Sequence, residues 1–307
     1  MEKWLEPVFT NLIENKKFCD CQILVENETF DCHKVILASA SEFFERMFLS
    51  EFKESKSGRF HLSEVKPETF AKFLEYVYTY NKRNLMENTN SMIMELHNCG
   101  STWLVGSIAS DCLDILKARA DYMVIGDLIE LFQHSYNIGQ RELIEISVRN
   151  FKHRFPSTMN CYDVLDLSLD VFEQYTIITK GLLPEVERFK MIESYVTVGN
   201  EAVEDVIECV DVAKDNEEET SETDGKPGTS KAISESTEAG AAVVRMGNLR
   251  LDKAKDSKIK MIHHKYIKTL LSYINFNNMT KNDFYDVVGK SVLLNNQEKY
   301  EGLYLTR

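Results

Sequence analysis

Phe18-Cys19-Asp20-Cys21-Gln22-Ile23-Leu24-Val25, then Glu28-Thr29-Phe30-Asp31-Cys32-His33-Lys34-Val35-Ile36-Leu37, then Glu68-Thr69-Phe70-Ala71-Lys72-Phe73-Leu74-Glu75-Tyr76-Val77-Tyr78-Thr79-Tyr80 decide how this chain folds. The first reads as a strand over Asp20 to Glu26, with Ile23 and Val25 alternating against Gln22 and Leu24. Asn27-Glu28 is turn-like, and Thr29 to Cys32 is the return strand. One helix follows from Lys34 to Phe48, carrying Val35, Ile36, Phe43, Phe44, Met47 and Phe48. Ser55 to Gly58 reads as polar loop and Arg59 to Leu62 as a third short strand. Lys66-Pro67-Glu68 opens the next helix, because proline loses nothing at a first turn and an acid suits the positive end of the helix dipole. Phe70, Phe73, Leu74 and Val77 form its apolar face.

Working outward, Lys3 to Asn15 predicts a short amphipathic helix, with Trp4, Leu5, Val8, Phe9, Leu12 and Ile13 at helical spacing. Asn81 to Asn90 is a polar loop, and Met92 to Ala120 reads as two helices. Further helices are predicted over Asp121 to Tyr136, Gln140 to Phe155 and Cys161 to Gln174, punctuated at Asn137-Ile138-Gly139 and Phe155-Pro156-Ser157. The composition then shifts. From Lys214 to Ala242 large apolar side chains are nearly absent, so residues 201–255 are expected to form a disordered acidic insertion that cannot bury enough surface to offset its ordering entropy. Helical patterning returns over Tyr266 to Phe276, Thr280 to Val288 and Ser291 to Leu294.

Composition narrows the function classes. The chain has 307 residues, 43% hydrophobic and 28% charged, which is ordinary for globular domains. Its net charge of -13 repels phosphate backbones, so direct nucleic-acid binding is disfavoured. Met1 to Pro7 lacks the apolar core of a secretory signal, and no apolar run reaches the ~20 residues that span a bilayer, so no membrane partner is expected. The 7 cysteines, an odd number with no Cys-x-x-Cys pair, read as reduced thiols of a cytoplasmic or nuclear protein.

The strand-hairpin-helix order with His33-Lys34 at the helix start resembles the BTB/POZ domain, a dimerising protein-interaction fold. The resemblance covers residues 1–120 and implies an α+β fold, a small sheet with helices. Tyr80 departs from the pattern, standing where the family usually has glycine. The helices that follow resemble the all-α BACK domain: Val124 to Phe155 and Tyr162 to Phe172 match its first two hairpins, and Phe189 to Val196 its fifth helix. The implied organisation is BTB at 1–120, the first part of BACK at 121–200, the insertion at 201–255, and the closing BACK helices at 256–307. No repeat of a Kelch propeller is present.

The resemblance also implies sites. In BTB domains the helix matching Trp4, Leu5, Val8, Phe9 and Leu12 packs across a two-fold interface; covering its own subunit's core is the other reading, disfavoured because little of that subunit lies within reach of so short a helix. Phe52-Lys53-Glu54 stands where cullin-3-binding members carry a hydrophobe, any residue and a glutamate, the hydrophobe filling a cleft and the carboxylate fixing the loop against the cullin. The bland reading makes Phe52 a local cap and Glu54 a solvated charge. Asp20 and Lys34 match a charged pocket of BTB repressors, or form a structural ion pair; His33 reads as a hydrogen-bonded packing residue.

Catalysis needs a nucleophile with a base, a metal set or a phosphate cradle. Cys19 and Cys21 lack further ligands at zinc spacing, His263-His264 has no second cluster, and Gly225-Lys226-Pro227-Gly228-Thr229-Ser230 lacks both the strand and the Gly-Lys-Ser/Thr order of a P-loop. Neither catalytic residues, a metal nor another cofactor is expected. Thr220, Ser221 and Thr223 stand among acids, a setting for acidophilic kinases. The expected function is a homodimeric adaptor joining cullin-3 ubiquitin ligase to other, unspecified proteins. The alternative is a BTB module that recruits co-regulators in gene control without a cullin.

Overall fold

The computed structural model describes residues 6–50, 53–211 and 264–306, the side chains of Glu6, Lys53, Ser55 and residues 199–211 excepted. Helix α1 (Glu6–Glu14) leads to strands β1 (Cys21–Val25) and β2 (Glu28–Cys32). These pair antiparallel, with Cys21 opposite Cys32 and Val25 opposite Glu28. Strand β3 (Arg59–Leu62) joins the free edge of β1 in parallel, Ile23 opposite Phe60, giving the order β2-β1-β3. Period-two patterning fixes the register: Cys21, Ile23, Val25, Phe60 and Leu62 are buried, while Leu24, Arg59 and His61 face out. A parallel return to β1 requires a crossover, which α2 (Lys34–Ala40), α3 (Glu42–Leu49) and α4 (Lys53–Ser57) provide.

Two local expectations fail here. The single helix expected from Lys34 to Phe48 breaks at Ser41, whose backbone is extended (φ -151°, ψ 120°). Its hydroxyl accepts the Phe44 N–H and donates to the Trp103 carbonyl, so capping a new helix outcompetes continuing the old one. The expected loop over Ser55 to Gly58 is instead the short α4, closed by Gly58 at φ +70°, whose N–H donates to the Glu54 carbonyl.

Helix α5 (Pro67–Thr79) begins as predicted and buries Phe70, Phe73, Leu74 and Val77. Trp103 stands edge-on to Phe73 at 4.6 Å and to Phe70 at 5.7 Å, the aromatic centre of this unit. The helix ends on Tyr80 in the left-handed region (φ 49°, ψ 33°), the backbone that explains a glycine preference there. The polar stretch after it holds the short α6 (Lys82–Met86), with Asn81 capping the Arg83 N–H. Helices α7 (Asn90–Thr102) and α8 (Gly106–Ala120) are the predicted pair. They cross closely at Gly100, where a Cβ would stand 2.5 Å from Ile108 Cγ2.

The rest is helical: α9 (Ile125–Asn137), α10 (Arg141–Arg154), α11 (Leu169–Ile178), α12 (Glu185–Asp211), α13 (His264–Ser272), α14 (Lys281–Asp286) and α15 (Asn296–Leu305). The helix expected over Cys161 to Gln174 is a 3-10 turn, Tyr162–Asp166, followed by α11. Leu167 is extended between them because its carbonyl accepts the Tyr195 hydroxyl and the next N–H donates to Gln133. Helix α12 continues past the boundary expected at residue 200, and residues 212–263 lie outside the described residues. Ser291 to Leu294 is not helical; the last helix comes later, started by the Asn295–Glu298 capping box.

The segments on either side of residues 212–263 pack together around Arg188, which is fully buried. Its guanidinium donates to Glu185 Oε2 at 2.6 Å, Thr179 Oγ1 at 3.1 Å, the Thr176 carbonyl at 3.0 Å and the Tyr273 carbonyl at 2.8 Å. Glu185 also accepts the Asn275 N–H at 3.1 Å, and the Tyr273 hydroxyl donates to Glu173 at 2.7 Å.

Candidate protein-interaction site

Helix α1 packs on α5 of its own chain, which the sequence reading disfavoured. Phe9 and Ile13 lie against the core, Leu12 is half-buried, and Val8 is 51% exposed on the outer face. Trp4 and Leu5 lie outside the described residues. Just beyond α1 stands Phe18, 87% exposed and in the left-handed region at φ 63°. The sequence reading gave Phe18 no role, placing it before the strand predicted over Asp20 to Glu26; its position outside that alternation was the available signal.

Of the Phe52-Lys53-Glu54 stretch, Lys53 and Glu54 open α4. Phe52 lies outside the described residues, as does the Lys53 side chain. Glu54 is exposed in the first turn of α4, and its carbonyl, not its carboxylate, ties down the Gly58 N–H and the Ser57 hydroxyl. Leu49, closing α3, is 76% exposed, and Val35 on α2 is 72% exposed. Sequence reasoning missed both. Leu49 was legible, since it follows Phe48 and both cannot face one core from adjacent helical positions.

Asp20 and Lys34 do meet, though not as an ion pair. The Asp20 carboxylate accepts the Lys34 backbone N–H at 2.7 Å, in an exposed setting. The Lys34 ammonium instead sits over the Phe60 ring, 5.8 Å from its centroid. Asp20 therefore anchors the start of α2 while its side chain stays in water, so no buried charge is created. His33 is buried, and both ring nitrogens are engaged. A carbonyl only accepts, so Nε2 donates to Lys17 O at 2.7 Å, and Nδ1 accepts the Tyr78 hydroxyl at 2.8 Å. The same hydroxyl accepts the His33 backbone N–H at 3.1 Å. The imidazole is locked as a packing element.

The thiols beside it are unreactive. Burial pushes Cys21 up to about 12 and raises Cys32 further, so both stay protonated at neutral pH. Burial also raises Cys19, helped by Asp31 and Asp20. Asp31 is held below the usual carboxylate range by hydrogen bonds from Gln22 and Lys16. The arrangement offers surfaces and fixed charges for binding another protein. Thr220, Ser221 and Thr223 lie outside the described residues. No described helix is long and apolar enough to cross a membrane.

Residues 9–120 match the family model of the BTB/POZ domain. Among curated proteins the chain is similar to Kelch-like protein 40 of Xenopus laevis, 29% identical over 115 residues, covering 38% of this chain and 18% of that protein. It is also similar to Kelch repeat and BTB domain-containing protein 3 of Homo sapiens, 24% identical over 180 residues, covering 59% of this chain and 28% of the relative. The chain thus spans less than a third of the length of these curated relatives. A solved structure, the BTB domain of zebrafish PATZ1, is similar at 24% identity over 38% of this chain and 90% of that one, with a TM-score of 0.31.

Proposed function

We propose, from the BTB/POZ domain that residues 9–120 form, that this protein is a homodimeric adaptor carrying cullin-3 ubiquitin ligase to other proteins. The observation that carries the reading is the corner between α3 and α4. There the Phe52-Lys53-Glu54 pattern follows an exposed Leu49 in sequence, and Glu54 is exposed to solvent. An exposed apolar side chain such as Leu49 at a helix corner supports an interaction surface. Val8 and Phe18, exposed beyond the sheet, support a second surface for a second copy. The adaptor does no chemistry itself: a dimer raises the local supply of ligase arms around a bound protein.

We read residues 121–200 and 256–307 as one BACK domain interrupted by the acidic insertion. The support is the Arg188 cluster, in which Glu173, Glu185 and Arg188 bond Tyr273 and Asn275. The cytoplasm or the nucleus is the proposed setting, with a second copy of the chain, cullin-3 and target proteins as the proposed partners. Affinity purification of the tagged chain from cells tests the function. Cullin-3 among the co-purifying proteins supports it, and its absence alongside transcriptional co-regulators favours the other BTB role.

A further inference from the structure

Helices α7 and α9 run side by side in the same direction. Asn90 Nδ2 donates to Asp127 Oδ2 at 2.7 Å and Ser91 Oγ to Glu130 Oε1 at 3.1 Å. Two turns farther along each helix, His97 meets His134, their rings perpendicular with centroids 5.1 Å apart. Helix α7 belongs to the BTB/POZ domain and α9 to the helical region after it, so the pair lies on the seam between them. The two residues are 5% and 6% exposed. His97 Nδ1 and His134 Nε2 have no hydrogen-bond partner among the described residues.

The charged groups on the packed elements face elsewhere. On α7 and α5, Glu95 bonds Lys66 and Thr69, and Glu75 bonds Lys72 and Asn84. On α8, Asp111 and Asp114 hold Lys82, Lys117 holds Glu142 of α10, and Arg119 donates to backbone carbonyls of Met86 and Asn88. On α10, Arg149 holds Asp121 and Arg141 holds Glu145; Asp163, in the turn before α11, lies against Gly126. Asp127 and Glu130 of α9 are the acceptors already named. A neutral imidazole fits this seam. An imidazolium carries a second N–H with no acceptor and stands beside another buried ring.

We propose that His97 and His134 form a proton-sensitive latch between the BTB/POZ domain and the helical region, closed while both rings are neutral and opened by proton uptake at mildly acidic pH. Burial holds both rings below the ordinary value of 6.5, His134 down to about 3 with His97 adding to the effect. The sign follows: the open seam binds protons at an ordinary pKa and the closed seam does not. Closure is fully present above 6.5 and is lost as pH falls below it. Between pH 7.5 and 5.5 His134 shifts the balance about tenfold toward opening, and His97, lowered by burial against the opposing hydrogen bond of Asn98, adds to it in the same direction.

Hydrogen exchange of the full chain, read by mass spectrometry at pH 7.5 and 5.5 and corrected for the intrinsic rate, is the experiment. Amides of α7 and α9 are expected to lose about tenfold protection or more while those of β1 and β2 change far less. In the His97→Leu/His134→Phe double variant that difference is expected to vanish; a double variant that keeps the native pH response overturns the latch. If the double variant does not fold, deuterium uptake at the imidazole Cε1 of the native chain decides. Half-protonation well below 6.5 supports the latch, and half-protonation at 6.5 or above with the seam amides still protected overturns it.

Discussion

Arg188→Ala removes the centre of the cluster that joins the two ends of the helical region. The guanidinium is fully buried and donates to four acceptors, among them the carboxylate of Glu185, itself 8% exposed. Deleting the cation leaves a buried carboxylate facing two carbonyls. Removing one partner of a buried ion pair costs ~3–5 kcal/mol. Glu185 keeps the Asn275 N–H and the Thr176 carbonyl keeps the Thr179 hydroxyl, so the cost is that of a buried carboxylate losing its cation rather than of four orphaned acceptors. In a protein of this size each kcal/mol moves the melting temperature by about 2–4 °C, so a drop of about 6–20 °C is expected. Urea unfolding followed by circular dichroism, with calorimetry as the second probe, measures it. Arg188→Met combined with Glu185→Leu removes both charges and is expected to recover most of the loss. A loss below about 1 kcal/mol for Arg188→Ala, or no recovery in the pair, refutes the reasoning.

Tyr80→Gly relieves a left-handed backbone while sacrificing only a partly exposed ring that touches Tyr76 at 5.6 Å, so a gain of ~1 kcal/mol is expected in thermal melts. Ser41→Ala removes the cap of α3 and the donor to the Trp103 carbonyl, and is expected to cost ~1–2 kcal/mol in the same assay. Gly100→Ala drives a methyl into Ile108 and the Ala109 nitrogen, with an expected loss of ~1–3 kcal/mol and altered α7–α8 packing. Deleting residues 212–255 is expected to preserve the fold, since loop closure changes by only ~0.6 kcal/mol per doubling of length. Truncation after residue 200 removes the Tyr273 and Asn275 contacts and is expected to lower the melting temperature; the reverse order of stabilities marks the C-terminal segment as a separate unit.

The sheet was legible because period-two alternation survives any helix context: Ile23, Val25, Phe60 and Leu62 point inward wherever the strands pair. The helix break at Ser41 was hidden because its cause is a tertiary contact with Trp103, far away in sequence. The same holds for Leu167, held extended by Tyr195. Helix α15 escaped notice because its apolar residues show no single face and only the Asn295–Glu298 cap marks its start. At the proposed interaction surface, Glu54 could be read from a short motif. Leu49 could have been read from its place beside Phe48, whereas Val35 could not, since an exposed apolar side chain looks in sequence like a core one. The Arg188 cluster joins residues 85 and more positions apart, and no local pattern announces it.

Titration calorimetry of the full chain with the cullin-3 N-terminal domain tests the central claim most directly. The native chain is expected to bind, Phe52→Ala to weaken binding by ~2 kcal/mol or more, roughly thirtyfold, and Glu54→Lys to weaken it by reversing a contact charge, with all three chains giving the same circular dichroism spectrum. No heat from the native chain, or equal binding by both variants, contradicts the account.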